Sequence, residues 1–277
     1  MSALTTYPKA LIRLVPFVGG GETLPADVIE QAGVEVDREH LTAYQKVCGF
    51  RVSDRLPATY PHIVAFPHAM DLMTRLSFPF GAIGLVHVAN EISVLRPLTG
   101  DDRFDLTVRT ANLRDHDRGR QFDVVAEATV AGEPVWHSTS TYLHREGSSS
   151  DGGKTPRDPG AAGSAEGSSI WKVPGDIGRR YAAVSGDANP IHLHPLTARL
   201  FGFPSAIAHG MWVKARCLAA LDGHLPADGY TAAVQFKLPM TIPAKAAFAS
   251  WPEGDRRAFG VTDARSGKPH LRGTVSG

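Results

Sequence analysis

Asp187 and His192 put a carboxylate and an imidazole five residues apart in Tyr181-Ala-Ala-Val-Ser-Gly-Asp-Ala-Asn-Pro-Ile-His192. Such a pair moves protons on a small substrate when both groups are fixed relative to each other. Asn189 and Pro190 lie between them and stop a helix. Proline holds the residue before it in extended geometry, and a short amide side chain bonds its own backbone in turns. The spacing therefore predicts a rigid bend carrying both titratable groups, with Asn189 as its support. A bare Asp-x4-His pair arises by chance in most proteins. The tyrosine, the glycine turn and the Asn-Pro bend make this one specific. Tyr181 reads as a packing residue behind the bend. His194 forms His-x-His with His192, but no Cys, His or Glu cluster at ligand spacing joins them, so no metal is expected.

Two similar sets of elements flank residues 146–169. Asp37 to Gly49 and Asp176 to Gly186 both read as short helices with an aspartate N-cap and a glycine stop. In each, a tyrosine stands five residues before the glycine. Pro67-His-Ala-Met70 and Ala208-His-Gly-Met211 then open apolar helices, and strand-like runs follow. These are 86–94, 104–113, 121–130 and 134–143 in the first half, and 231–238, 244–251, 257–262 and 269–275 in the second. Glycine-containing turns separate them. Helix first and strands after, with short connections, is an α+β pattern. Each half has one long helix to cover one face of its sheet, and joining the halves edge to edge protects exposed strands.

The chain has 277 residues, enough for one large domain or two small ones. A 43% hydrophobic, 21% charged composition is that of a soluble globular protein. The net charge of +1 provides no field for nucleic acid or an anionic membrane. No apolar run approaches the ~20 residues that span a bilayer. The apolar run at residues 10–18 is interrupted by Arg13 and Pro16 and lacks a cleavage site, so it does not read as a signal peptide. Cys48 and Cys217 sit in apolar helical contexts and read as buried free thiols, which fits the cytoplasm. Residues 146–169 contain no aliphatic side chain larger than alanine and read as a flexible linker between residues 1–145 and 170–277. Within them, Gly153-Lys154-Thr155 lacks the earlier glycine, the strand and the helix of a phosphate-binding loop.

Tyr181-x3-Ser-Gly-Asp-x-Asn-Pro-x-His192 resembles the signature of the MaoC-like, or hydratase 2, group of hotdog-fold enzymes. Gly202-Phe-Pro-Ser-Ala-Ile-Ala-His-Gly-Met211 resembles the family segment leading into the central helix, and Gln235-Phe-Lys-Leu-Pro239 the strand after it. The two-copy layout is similar to actinobacterial (3R)-hydroxyacyl-thioester dehydratases with fused hotdog halves. The resemblance implies a double hotdog, two halves each with an antiparallel sheet wrapped on a central helix, forming a pseudo-dimer. It implies reversible hydration of trans-2-enoyl thioesters to (3R)-hydroxyacyl thioesters, without a cofactor. Asp187 and His192 would supply the proton pair, with His192 at the C2 proton and Asp187 at the hydroxyl or water. The Gly210 amide, first in its helix, would stabilise the enolate-like oxygen. His209 reads as fixing the loop. Lys172, Arg179, Arg180 and Arg199 are candidates for coenzyme A phosphates.

With Gly49 set on Gly186, Phe50 takes the place of Asp187, and the residues after it hold no Asn-Pro-x-His. Gly210 is matched by Ala69. The first half is therefore expected to be catalytically silent and to frame an apolar channel for medium or long acyl chains. The expected partner is an acyl-coenzyme A or acyl carrier protein thioester, and the expected assembly a monomeric pseudo-dimer or a homodimer. The rival readings are a hotdog thioesterase, against which Asn-Pro-x-His beside Asp187 argues, and a non-catalytic acyl-thioester binding protein.

Overall fold

The structure, a computed structural model, describes residues 22–81, 84–146 and 167–277. The first half contains β1 (Val28–Glu35), α1 (Arg38–Cys48), α2 (Tyr60–Met73), β2 (Leu85–Val94), β3 (Arg103–His116), β4 (Gly119–Val130) and β5 (Glu133–Arg145). The second contains β6 (Gly167–Val173), α3 (Ile177–Ser185), α4 (Pro190–Leu193), α5 (Pro195–Leu200) and α6 (Gly210–Ala220). It ends with β7 (Tyr230–Phe236), β8 (Ala244–Glu253), β9 (Arg256–Asp263) and β10 (Pro269–Ser276). The apolar run 10–18, Gly153-Lys154-Thr155 and residues 147–166 of the predicted linker lie outside the described residues. Residues 167–169, assigned to the linker from sequence, begin β6 instead.

Ten antiparallel strands form one sheet in the order β1-β3-β4-β5-β2-β7-β10-β9-β8-β6. Exchanging β1–β5 for β6–β10 reverses this order onto itself, so a pseudo-twofold axis passes through the β2–β7 seam. There Asn90 faces Val234 and Ile92 faces Ala232. This is the expected edge-to-edge join, and it hides two edges that would otherwise present unpaired backbone groups. The eight predicted strands form. The outermost two, β1 and β6, were not anticipated.

The helices α2 and α6 are apolar on nearly every side and buried, as central helices must be. Lys214 on α6 is the exception in type and not in burial. Its ammonium donates to Asn90 Oδ1 (2.5 Å), Asn90 O (3.3 Å) and Ala232 O (2.8 Å). Asn90 in turn donates to the hydroxyls of Ser138 (3.1 Å) and Ser140 (3.0 Å). This network ties α6 to strands of both halves at the seam. Burial among neutral acceptors pushes the Lys214 pKa well down.

Two local expectations fail. The long first-half helix starts at Tyr60, not near Met70, and runs through Pro67. Pro67 is exposed, so the hydrogen bond it removes lies on the solvent side, where water can replace it. The start of α2 thus matches the start of α6, and Gly210 corresponds to Tyr60, with Ala69 in a later turn. Asp37 caps α1 by accepting from the Glu39 and His40 amides, whereas Asp176 precedes α3 without any side-chain cap.

Candidate active site

The α3 helix ends at Gly186, whose φ of 76° turns the chain out in a left-handed conformation. Asp187 follows. Its amide donates to Ser185 Oγ (3.2 Å), and its Oδ1 accepts from the Asn189 amide (3.2 Å). Asn189 Oδ1 accepts from the Ile191 amide (3.3 Å) and so caps α4, with Pro190 in the first helical position. Both residues act through the backbone, as the sequence predicts, although the bend contains a short helix. Gly178 on α3 packs directly on the His192 carbonyl, where a Cβ would overlap the oxygen. The chain then leaves at Leu193 and returns at Ile207. The return is tied twice, by the Ile207 amide to Ile191 O (3.1 Å) and by His192 Nδ1 to Ile207 O (2.8 Å).

That second tie settles the tautomer of His192. A carbonyl only accepts, so Nδ1 carries the proton and Nε2 keeps its lone pair. His192 is 9% exposed, and burial lowers its pKa against the opposing pull of Asp187. The imidazole is therefore neutral at pH 7 and able to accept a proton. His209 joins the pair. Its Nε2 donates to the backbone oxygen of Asp187 (2.9 Å) and lies 3.8 Å from Oδ2. Its ring stacks on His192 with centroids 3.7 Å apart. Burial, then the neighbouring His192, pushes its pKa down to about 3. One ligand-type atom of each of Asp187, His192 and His209 lies within 4.8 Å of the others. This spacing alone would suit a metal ion. However, His209 Nε2 is already bonded to the Asp187 carbonyl and His192 Nδ1 to Ile207 O, so the arrangement suits proton transfer better than ligation. His194 lies apart from the trio and caps α5 by accepting from the Leu196 amide (3.1 Å).

Gly210 is the first residue of α6, and its amide donates no hydrogen bond among the described residues. A Cβ at Gly210 would come within 2.9 Å of the Phe236 ring. A free donor and a close packing contact thus coexist at this glycine. Behind the trio, the Tyr181 ring lies 4.9 Å from that of His209. Tyr181 OH and His209 Nδ1 are both buried without a hydrogen-bond partner. The side chains of Lys172, Arg179, Arg180 and Arg199 are exposed and none touches the trio.

The first half contributes more than the sequence suggested. Phe50 follows Gly49 (φ 79°) as Asp187 follows Gly186, so the carboxylate is replaced by a ring as expected. Yet His62, in the first turn of α2, and Tyr142, on β5, lie within Coulombic reach of Asp187. His87 stacks on Tyr142 (4.6 Å) and tilts against Phe236 (4.8 Å), which continues the wall to Gly210. No motif marks these residues in the sequence. A cavity between α2 and the first-half sheet, lined by His62, Phe66, Ala69, Ser140 and Tyr142, has a volume of about 10 Å³.

A model of the MaoC like domain matches residues 172–273. Across its length the chain is 35% identical to the 3-hydroxyacyl-thioester dehydratase X of Mycobacterium tuberculosis, over 277 residues that span 100% of this chain and 98% of that protein. The chain belongs to the MaoC-like dehydratase family. It is a hydro-lyase, as the motif implied. The crystal structure of that mycobacterial dehydratase superposes with a TM-score of 0.79 at 34% identity, covering 91% of this chain and 100% of the other. A second M. tuberculosis protein, described as having a double hotdog fold, shares the architecture at 12% identity with a TM-score of 0.52, over 92% of this chain and 96% of the other. The MaoC-like chain is thus a double hotdog. A shorter stretch of 65 residues is 35% identical to a mitochondrial 3-hydroxyacyl-[acyl-carrier-protein] dehydratase of Arabidopsis thaliana, over 23% of this chain and 39% of that one.

Proposed function

We propose that this protein interconverts trans-2-enoyl and (3R)-3-hydroxyacyl thioesters of fatty-acid metabolism, with one active site per chain. The observation that carries this reading is the trio at the α3–α4 bend, with a free lone pair on His192 Nε2 and a carboxylate beside it. In hydration, water loses a proton to the Asp187–His192 pair as its oxygen adds to C3. The negative charge that develops on the thioester oxygen is met by the Gly210 amide. The pair then returns one proton to C2 and is left as it began. Dehydration is the reverse. We assign the water or hydroxyl to Asp187 and the C2 proton to His192: in hydration the proton that Asp187 takes from water passes to His192 Nε2, which delivers it to C2, and in dehydration it travels the other way. Asn189 holds the bend that sets their separation.

Each part has a physical role. Positioned acid–base groups contribute typically ~10²–10⁴-fold. A preorganised amide donor at an oxyanion contributes about 10²–10³-fold. The experiment is a kinetic one: loss of the enoyl chromophore on adding wild-type protein to an enoyl-coenzyme A series, repeated with Asp187→Asn and with His192→Ala. Full activity in both variants would remove the site assignment.

We further propose that the first half, residues 1–145, takes the acyl chain and performs no chemistry of its own. Its support is the ring wall from Gly210 to Tyr142, which leads to the gap beneath α2. That gap, about 10 Å³, admits no more than a water-sized atom. A chain of twelve carbons therefore has to move side chains such as Phe66. Faster turnover of crotonyl-coenzyme A than of enoyl thioesters with twelve or more carbons would overturn this. The cytoplasm is the proposed location. Among the described residues no helix is long and apolar enough to cross a membrane.

A further inference from the structure

Residues 193–206 leave the site at Leu193 and come back at Ile207, both ends tied to the α4 turn that carries His192. This excursion carries a cluster of uncovered apolar side chains. Leu196 is 62% exposed, Leu200 84% and Phe201 38%. An isolated exposed leucine is ordinary. Here three of the nine large exposed apolar side chains among the described residues fall within six positions, which makes a patch. Leu196 and Leu200 are four apart on α5, and Arg199 is three from Leu196, so the three share a side of the helix. Arg199 spends its Nε on Pro204 O (3.2 Å), and Arg179 on α3 reaches Leu193 O (3.3 Å). No carboxylate pairs with either arginine among the described residues. The patch is thus apolar in the middle, cationic at the side, and attached to the catalytic histidine by a few residues.

We propose that Leu196, Leu200 and Phe201, with Arg179 and Arg199, dock an acidic acyl carrier protein that delivers the thioester to the site. This rests on the proposed dehydratase reading and names the carrier for it. A nucleotide carrier needs cations for its phosphates, but it has no apolar helix face with which to cover two leucines one turn apart. A small acidic helical protein supplies both parts. Its carboxylates meet arginines that pair with no carboxylate among the described residues, and its apolar side chains cover Leu196 and Leu200. Charge at the rim of such a contact acts mainly on the rate of encounter and is screened by salt.

The test measures kcat/KM for one (3R)-hydroxyacyl chain presented on acyl carrier protein and on coenzyme A. It uses wild type, Arg199→Glu and Leu200→Ser, at low and high salt. Binding of holo-carrier without any acyl group is measured alongside by calorimetry. The docking account expects the carrier-bound substrate to lose at least about tenfold more than the coenzyme A thioester in each variant, through KM. It also expects carrier binding to weaken in step and with added salt. A larger loss on the coenzyme A thioester in Arg199→Glu would make the arginine a nucleotide-phosphate contact, and equal losses would make it a contact to what both carriers share; either overturns the proposal. Unchanged carrier binding in both variants would overturn it as well. If neither thioester is turned over by wild type while carrier binding still depends on Leu200 and Arg199, the dehydratase reading fails and the docking surface stands.

Discussion

The two halves bring a tyrosine, a glycine turn and the start of a central helix to the same corner, and they use that corner in opposite ways. In the first half the tyrosines there are paired. Tyr44 OH donates to Thr59 Oγ1 (2.7 Å). Tyr60, which occupies the place of Gly210, bonds His40 Nδ1 (3.0 Å), and His40 Nε2 donates across to Val184 O (2.8 Å). Phe50 stands where Asp187 would. In the second half the same corner has a carboxylate, two stacked imidazoles, an amide without an acceptor, and two buried polar atoms without partners. Buried polar groups are nearly always paired, so unpaired ones call for an explanation. The first half shows that this architecture can pair both of its tyrosines at the corner. The second half leaves it open, at a cost in stability, where a substrate and a water could complete it. The first half fills the corresponding place with a brace, through His40, that holds α1 to α3.

The sharpest way to break this contrast is to move the carboxylate. Asp187→Asn is expected to lower kcat/KM by about 10³-fold, and Phe50→Asp in the same chain is expected to restore nothing. Phe50 stacks on Tyr44 (6.4 Å) and the Tyr60 amide is bonded to Pro57 O (2.8 Å), so recovered hydration would contradict the account. A smaller effect is expected at the helix start. Gly210→Ala retains the amide but drives a Cβ toward Phe236, displacing the donor. A fall in kcat of roughly tenfold or more, with little change in KM, is the expected split. Smaller again is His209→Phe, which preserves the ring stack and removes the bond to the Asp187 carbonyl. We expect a loss of several-fold in kcat and a changed pH profile, because the Asp187–His192 pair is no longer held at one separation.

The weakest effect is on stability. Burial holds His209 at about 3 and His62 at about 4, both below 6.5. The unfolded chain therefore binds protons that the folded one refuses. The stability is fully present above about pH 6.5 and is lost as pH falls toward 4, by up to about 1.4 kcal/mol per pH unit for each histidine. Urea midpoints between pH 7 and pH 4.5 should show that slope, and His209→Phe should lessen it.

The sequence revealed the candidate site more readily than its support. Gly49 and Gly186 marked matching helix ends because a left-handed stop is written into the residue type. Alternating strands were legible for the same kind of reason. β1 and β6 were missed because edge strands need only one apolar face, and β6 begins inside a run of glycine and serine. The start of α2 was missed because Pro67 reads as punctuation, while tertiary burial of an apolar helix outweighs one lost hydrogen bond on its exposed side. Lys214 gave no sign of being buried: only the seam between β2 and β7 provides the three carbonyl and amide acceptors that make its burial tolerable. His209 was recognisable as a loop-fixing residue, but its stacking on His192 depends on a chain return fifteen residues downstream, which spacing alone does not show.

The central claim is one hydration site per chain, built on Asp187 and His192. It is tested most directly by following the enoyl chromophore and free thiol together while wild type and His192→Ala act on a trans-2-enoyl-coenzyme A. The account predicts loss of the chromophore without thiol release, a (3R)-hydroxyacyl product, and a rate at least about 10²-fold lower in the variant. Thiol release keeping pace with chromophore loss, or an undiminished rate in His192→Ala, would contradict it.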